Sequence, residues 1–330
     1  IRLSLVGSEM CIRDRSTTPS SSAHLPRFCG VPTFMRAPLA SDLDSFDIGL
    51  VGVPYDGALT LRPGARMGPR ELRNASCMMR SINQATRIDP FSLSRVADLG
   101  DVPFSSLFDV PQAHAQIREF LAPFFAAGKK LVIAGGDHSI TFPVLQALNP
   151  AQPVGLIHID AHTDTWDAFA GSKFSHGSPF RRALEAGLID PKRMVQIGIR
   201  GAQNTEEGWQ YSLDHGIRVI FMDEVEAMGI PAVIAEARRI AGTGPAYLSF
   251  DVDAIDPAFT PGTGTPEVGG LTSREALQLV RGLRGLDLVG ADVVEVSPPY
   301  DVSGNTALVG ATLMYEQLCL LAENLQADRA

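Results

Sequence analysis

The 330 residues predict an α/β protein: a parallel sheet with helices on both of its faces. Short apolar, strand-like runs alternate with segments of helical periodicity along the chain. Clusters of aspartate and histidine close several of those runs, at the strand ends where parallel sheets carry their ligand sites. No internal repeat or mid-chain linker interrupts the pattern, so residues 27–330 are expected to form one domain.

Strand-like runs fall at 47–53, 94–99, 130–134, 154–159, 194–199, 217–221, 246–252 and 288–295. Between them, residues 110–127, 179–186, 231–240, 273–282 and 306–322 carry helical periodicity. Thr272 or Ser273, just before Arg274-Glu275-Ala276, reads as a helix cap, a side-chain oxygen placed to accept from a backbone N–H that the first turn leaves unpaired. Residues 1–15 do not open on Met, and Glu9, Arg13 and Asp14 interrupt their apolar stretch. They fail as a signal peptide and resemble translated adaptor sequence, so they are read as a non-native artefact. Residues 16–26, rich in Ser, Thr and Pro, are expected to be disordered.

An apolar fraction of 45% and a charged fraction of 20% are those of an ordinary globular enzyme. The net charge of −9 argues against nucleic acid, whose phosphates want a basic surface, and favours a cationic partner. No apolar run reaches the roughly 20 residues of a membrane span. The four cysteines, Cys11, Cys29, Cys77 and Cys319, lack metal-ligand spacing and read as free thiols in a reducing cytoplasm.

The chemistry lies in three segments: Gly135-Gly136-Asp137-His138-Ser139, Asp160-Ala161-His162-Thr163-Asp164 and Ser249-Phe250-Asp251-Val252-Asp253. Each closes a strand-like run. Alternate side chains of an extended chain share a face, so Asp160, His162 and Asp164 project together, as do Asp251 and Asp253. With His138 these make four carboxylates and two imidazoles, more than one ion needs and suited to two divalent cations sharing carboxylates. Such groups, buried together without a cation, would repel one another. Oxygen and imidazole donors without thiolate suit two Mn2+ per chain; Ni2+ shares the imidazole preference.

Three such motifs in order, followed by Glu295-Val296-Ser297-Pro298-Pro299-Tyr300-Asp301, resemble the signature of the ureohydrolase (arginase and agmatinase) family over residues 27–323. The resemblance implies a three-layer α/β/α arginase-like fold with an eight-stranded parallel sheet. It also implies hydrolysis of a guanidino group to urea and an amine, and a homo-oligomer, trimer or hexamer. By the same resemblance His138 and Asp164 bind the first ion, His162 and Asp253 the second, and Asp160 and Asp251 bridge. Asp164 and His176 carry protons, and Glu295 pairs with the substrate guanidinium. Asp137 and His158, next to the ligands in sequence, read as supports for them, with a structural role in the strand an equal reading for His158, while His24, His114 and His215 are expected at the surface and Asp256 in a turn. Trp166 and Trp209 read as packing aromatics.

In this family the loop Thr165–Ser175 faces the substrate tail. Phe169 would limit tail length, Lys173 would meet a carboxylate and Asp167 an amine. The loop lacks the Asn-containing segment of arginases, so the chain is more similar to agmatinases, guanidinopropionases and guanidinobutyrases. The substrate is expected to be 3-guanidinopropionate, 4-guanidinobutyrate or agmatine, with a slight lean to a guanidino acid. Two rivals are weaker. A single-metal deacetylase-like enzyme would carry a tandem His pair, which the sequence lacks; an inactive metal-binding paralogue would have lost a ligand, and none of the six is missing.

Overall fold

The structure, a computed structural model, describes residues 26–329. The readings of residues 1–15, of 16–25 and of His24 lie outside these. Eight strands form one sheet in the order β2-β1-β3-β8-β7-β4-β5-β6. They are β1 (Ile48–Gly52), β2 (Val96–Asp101), β3 (Lys130–Ala134), β4 (Val154–Ile159), β5 (Ile189–Ile199), β6 (Arg218–Phe221), β7 (Ala246–Asp251) and β8 (Leu288–Val294). Every pairing is parallel.

The central strands are buried on both faces and alternate between two apolar layers. Val132 and Ala134 of β3, with Ile157 and Ile159 of β4, face one core; Leu131 and Ile133, with Val154 and Leu156, face the other. Helices Gly68–Ser76, Ile230–Ala241, Ser273–Gly282 and Asn305–Arg329 contribute buried side chains to the first core. Helices Val110–Ala126, Thr141–Leu148 and Pro179–Glu185 cover the second. The result is three layers, as expected. Thr272 is the cap of Ser273–Gly282: its hydroxyl accepts from Glu275 N–H, and the Glu275 carboxylate accepts from Thr272 N–H at 2.8 Å. Among the described residues, no helix is long and apolar enough to cross a membrane.

Two departures have physical causes. β5 starts at Ile189, five positions earlier than periodicity suggested, because Asp190–Arg193 bulges out between the pairs Val154↔Ile189 and Leu156↔Met194. The Arg193 guanidinium uses that bulge to donate to the carbonyls of Ala241, Gly244 and Pro245. Helix Thr141–Leu148 was not foreseen because it is apolar nearly all round, so no stripe marks it.

The sheet order gathers segments that lie far apart in sequence. β3, β8, β7 and β4 are consecutive neighbours, and they end on the segments that hold His138, Glu295, Asp251 with Asp253, and Asp160 with His162 and Asp164. At roughly 4.8 Å between strands, four adjacent ends make one compact site. Gly136 fits here for want of space rather than for a turn. Its φ is not positive, but a Cβ would run into the Tyr55 carbonyl, which accepts from Asp137 N–H at 2.8 Å.

Candidate metal centre and substrate cavity

The donors form two groups that share Asp160. Around the first, His138 Nδ1 lies 2.9 Å from Asp164 Oδ2, 3.1 Å from Asp160 Oδ2 and 3.3 Å from Asp251 Oδ2. Around the second, His162 Nδ1 lies 3.1 Å from Asp253 Oδ2 and 3.5 Å from Asp160 Oδ1. Asp160 therefore turns one oxygen to each group. Asp251 has one oxygen engaged by Asp253 N–H at 2.8 Å and the other near His138. All six side chains converge as the sequence pattern predicts.

The bonds behind the donors fit a cation. Ser249 Oγ donates to Asp292 at 2.7 Å, so it accepts from His138 Nε2–H at 2.9 Å. That tautomer leaves a lone pair on His138 Nδ1. This buried nitrogen has no hydrogen-bond partner although three carboxylates stand within 3.3 Å of it. A lone pair aimed at anionic oxygens is stable only with positive charge between them. His158 is a support, not a ligand: its Nδ1 accepts from Gln196 at 3.1 Å, so its Nε2–H donates to Asp160 at 2.7 Å. Phe180 packs on both rings, 5.1 Å from His138 and 4.2 Å from His158 between centroids.

Charge tells the same story. Burial, together with the neighbouring Asp253 and Asp160 carboxylates, pushes Asp251 well above the usual range, and burial with Asp160 raises Asp253 to about 6. Burial works against the charged forms of His138 and His162, yet the facing carboxylates raise both well above the ordinary imidazole value. The cluster is short of positive charge and draws protons to make it up. Asp164 (φ 52°) and Glu295 (φ 63°) also hold left-handed backbone, which costs a non-glycine residue about 1–3 kcal/mol and persists where the surroundings enforce it.

His176 and Glu295 are coupled. Glu295 Oε1 accepts from His138 N–H at 2.9 Å and contacts His176 Nδ1 at 3.0 Å. In the neutral ring His176 Nε2 accepts from Thr60 N–H at 3.2 Å, so Nδ1 carries the proton given to Glu295; the Thr60 hydroxyl lies 2.7 Å from Nε2 and can accept when Nε2 is protonated. Burial opposes protonation of His176, but Glu295, Asp164 and Asp137 prevail and raise it to about 9. Glu295 Oε2 is buried and unpartnered.

A cavity of about 290 Å³ opens over the metal cluster, walled by Thr60, Trp166, Phe169, Gln203 and Glu267. Phe169 stands half-exposed at its rim, on a tight hairpin in which Phe169 and Ser172 exchange backbone hydrogen bonds of 2.9 Å. Ala170 (φ 47°) and Gly171 (φ 85°) form the turn between them. Lys173 is exposed and does not line the cavity. Asp167 is held by Arg182 at 2.8 Å, again off the cavity wall, so it is not free to meet an amine.

Other sequence expectations divide. Asp256 is a turn residue, accepting from Ala258, Gly269 and Gly270 N–H groups. Asp137 supports the site by fixing Ser139 and Ala58. His215 is exposed. His114 is not at the surface: it is buried against Tyr55, Phe142 and Phe174 and bonded to Ser139, and burial lowers it to about 4. Trp166 lines the cavity rather than only packing. Thr60, Ser249, Asp292 and Gln196 were missed, since single polar residues in loops or strands carry no sequence signal.

A sequence model of the arginase family matches residues 46–319, and the chain belongs to that family. It is 55% identical to guanidinopropionase of Pseudomonas aeruginosa over 307 residues, covering 93% of this chain and 96% of that protein. It is 46% identical to mitochondrial agmatinase of Gallus gallus over 308 residues, covering 93% and 90%. The solved proclavaminate amidinohydrolase of Streptomyces clavuligerus superposes with a TM-score of 0.87 at 39% identity, covering 91% of this chain and 99% of that one.

Removing the Ser249 hydroxyl leaves His138 Nε2–H without its acceptor and Asp292 Oδ1 without its donor, while Thr141 and Tyr247 still donate to Oδ2. Ser249→Ala is expected to weaken binding of one divalent ion by roughly 10–100-fold and to spare the other, measured by calorimetric titration of metal-free protein. Equal affinities in wild type and variant would show that the His138 tautomer is not held by Ser249.

Proposed function

We propose that this chain cleaves a short guanidino acid, 3-guanidinopropionate ahead of 4-guanidinobutyrate, to urea and an amino acid. The supporting observation is the pairing of a two-group metal centre sharing Asp160 with a small cavity whose rim carries Phe169. The 55% identity to a guanidinopropionase supports the substrate. The chain is an amidinohydrolase of the arginase family acting on guanidino compounds.

A guanidinium is resonance-stabilised and a poor electrophile, so its hydrolysis needs a strong nucleophile. His138, Asp164, Asp160, Asp251, His162 and Asp253 would hold two divalent ions, Mn2+ by their donor chemistry, which supply that nucleophile from water at neutral pH. Glu295 is buried and not itself part of the cavity lining; one of its oxygens is fixed by His138 N–H and His176, and the other, unpartnered, would accept from a guanidinium that reaches past the wall. Such a contact orients the central carbon. Asp164 takes up the nucleophile's proton and passes it to the leaving amine. His176, through Nε2 and the Thr60 hydroxyl, exchanges protons between the site and the cavity mouth. A closed homo-oligomer, trimer or hexamer, in a reducing cytoplasm completes the proposal; light scattering that gave a fully active monomer would remove the oligomer.

One observation favours agmatine instead. Among the described residues, the cavity wall contains the Glu267 carboxylate and no lysine or arginine, so a cationic tail would meet the better charge. With Lys173 exposed and off the wall, a tail carboxylate would depend on neutral donors such as Gln203 and Asn204.

Two measurements test these assignments. Glu295→Gln is expected to keep its metals and lose roughly 10²–10³ in turnover, about 3–4 kcal/mol of transition-state stabilisation; near wild-type urea release with metals bound would refute the role of Glu295. Comparing kcat/KM for 3-guanidinopropionate, 4-guanidinobutyrate and agmatine should rank them in that order. Lys173→Ala should leave the ranking unchanged, and Phe169→Ala should raise the relative rate of the longer substrates. A wild-type preference for agmatine that falls in Glu267→Gln would replace the guanidino-acid reading with agmatinase.

A further inference from the structure

Arg200, one residue past the end of β5, bonds in a way that loop tethering alone does not require. Its side chain has five N–H groups, and they make five hydrogen bonds, all to backbone carbonyls. Nη2 reaches Asp253 O at 2.7 Å and Glu267 O at 2.5 Å; Nη1 reaches Gly198 O and Ala254 O at 3.2 Å each; Nε reaches Val268 O at 3.2 Å. Its own backbone N–H donates to Ala161 O at 2.9 Å, between Asp160 and His162. Gly270 leaves room for the guanidinium, since a Cβ there would strike Nη2.

These partners belong to one half of the site. Asp253 is a donor of the second group and Ala254 follows it, Ala161 lies between the other two donors, and Glu267, which Val268 follows, belongs to the cavity wall. Ala161 N–H donates in turn to Asp253 Oδ1 at 3.1 Å, and Thr265 Oγ1 to Asp253 Oδ2 at 3.3 Å, so the segments that Arg200 joins also bond to each other through the ligand carboxylate. The His138 side has no contact with Arg200; it is fixed by Ser249, Asp292 and Glu295.

We infer that Arg200 is a positioning residue for the second metal site: its guanidinium is a collar that fixes the Asp253 and His162 segments and the Glu267 wall relative to one another. The inference rests on the two-ion reading of the site. The rigid, planar fork of arginine is what spans carbonyls from three separate segments; lysine offers the same charge at a single point. The effect is therefore one of geometry. It should appear as a selective loss at one ion, whereas a residue that merely stabilised the fold would lower both affinities together.

The test is titration of metal-free protein with Mn2+, by calorimetry and electron paramagnetic resonance, for wild type, Arg200→Lys, Arg200→Ala and Gly270→Ala. In the wild type, two equivalents should bind and give an exchange-coupled spectrum. In Arg200→Lys the first equivalent should bind within about twofold of wild type, while the second weakens by roughly 10–100-fold and the spectrum at one to two equivalents is that of isolated Mn2+. Gly270→Ala, whose Cβ would press on the guanidinium as well as on the Asp256 backbone nitrogen without deleting the arginine, should do the same and keeps the test available if Arg200→Ala does not fold. Wild-type affinity for both ions in Arg200→Lys and Gly270→Ala, or an equal loss at both ions, overturns the inference while leaving the two-ion reading intact. A single equivalent in the wild type overturns both.

Discussion

Four buried aspartates converge on two histidines at the ends of adjacent parallel strands, beneath the cavity and short of compensating positive charge. That electrostatic constraint organises the rest of the site. Asp251 and Asp253 are pushed toward their neutral forms and His138 and His162 toward their charged ones. Left to hydrogen bonding alone, such a cluster destabilises the fold. A pair of divalent cations turns the repulsion into binding energy. The supports behind the donors follow from the same need. Ser249 and Asp292 fix the tautomer of His138, and Gln196 fixes that of His158, whose N–H holds Asp160. Each bond removes a rotation the ligand would otherwise have to lose on binding metal.

The sheet order converts this chemistry into a place. Because β3, β8, β7 and β4 are consecutive neighbours, their C-terminal ends, each one strand spacing from the next, bring the six donors and Glu295 together. The close approach of Gly136 to the Tyr55 carbonyl and the left-handed backbone at Asp164 and Glu295 are local costs of bringing those ends together. The two apolar cores on either face of the sheet offset them and hold the strand ends still. Above the strand ends the wall of the substrate cavity is built from loops, which is where members of one fold differ in what they bind.

That division explains what could be read from the sequence. All eight strands, and the six side chains that converge at their ends, were legible because burial on two faces writes continuous apolar runs and because motif spacing follows the period of an extended chain. The cavity wall was not. Glu267 and Gln203 sit on turns with no periodicity, and only the fold brings them over the metal centre. Lys173 had the right charge in the right segment, but the Phe169–Ser172 hairpin turns the chain so that it is exposed and off the cavity wall. His114 lay in a helix with a polar neighbourhood in sequence, and only packing against three aromatic rings shows it to be core. Arg200 left no trace either, since its five partners are backbone carbonyls, which any sequence supplies.

The central claim is that both donor groups must be filled for catalysis. It is tested most directly by adding Mn2+ in sub-stoichiometric steps to chelator-treated protein and following urea release from 3-guanidinopropionate. The account predicts little activity up to the first equivalent and a rise to full activity that tracks the second. Full activity at one equivalent per chain, unchanged by further metal, would contradict it.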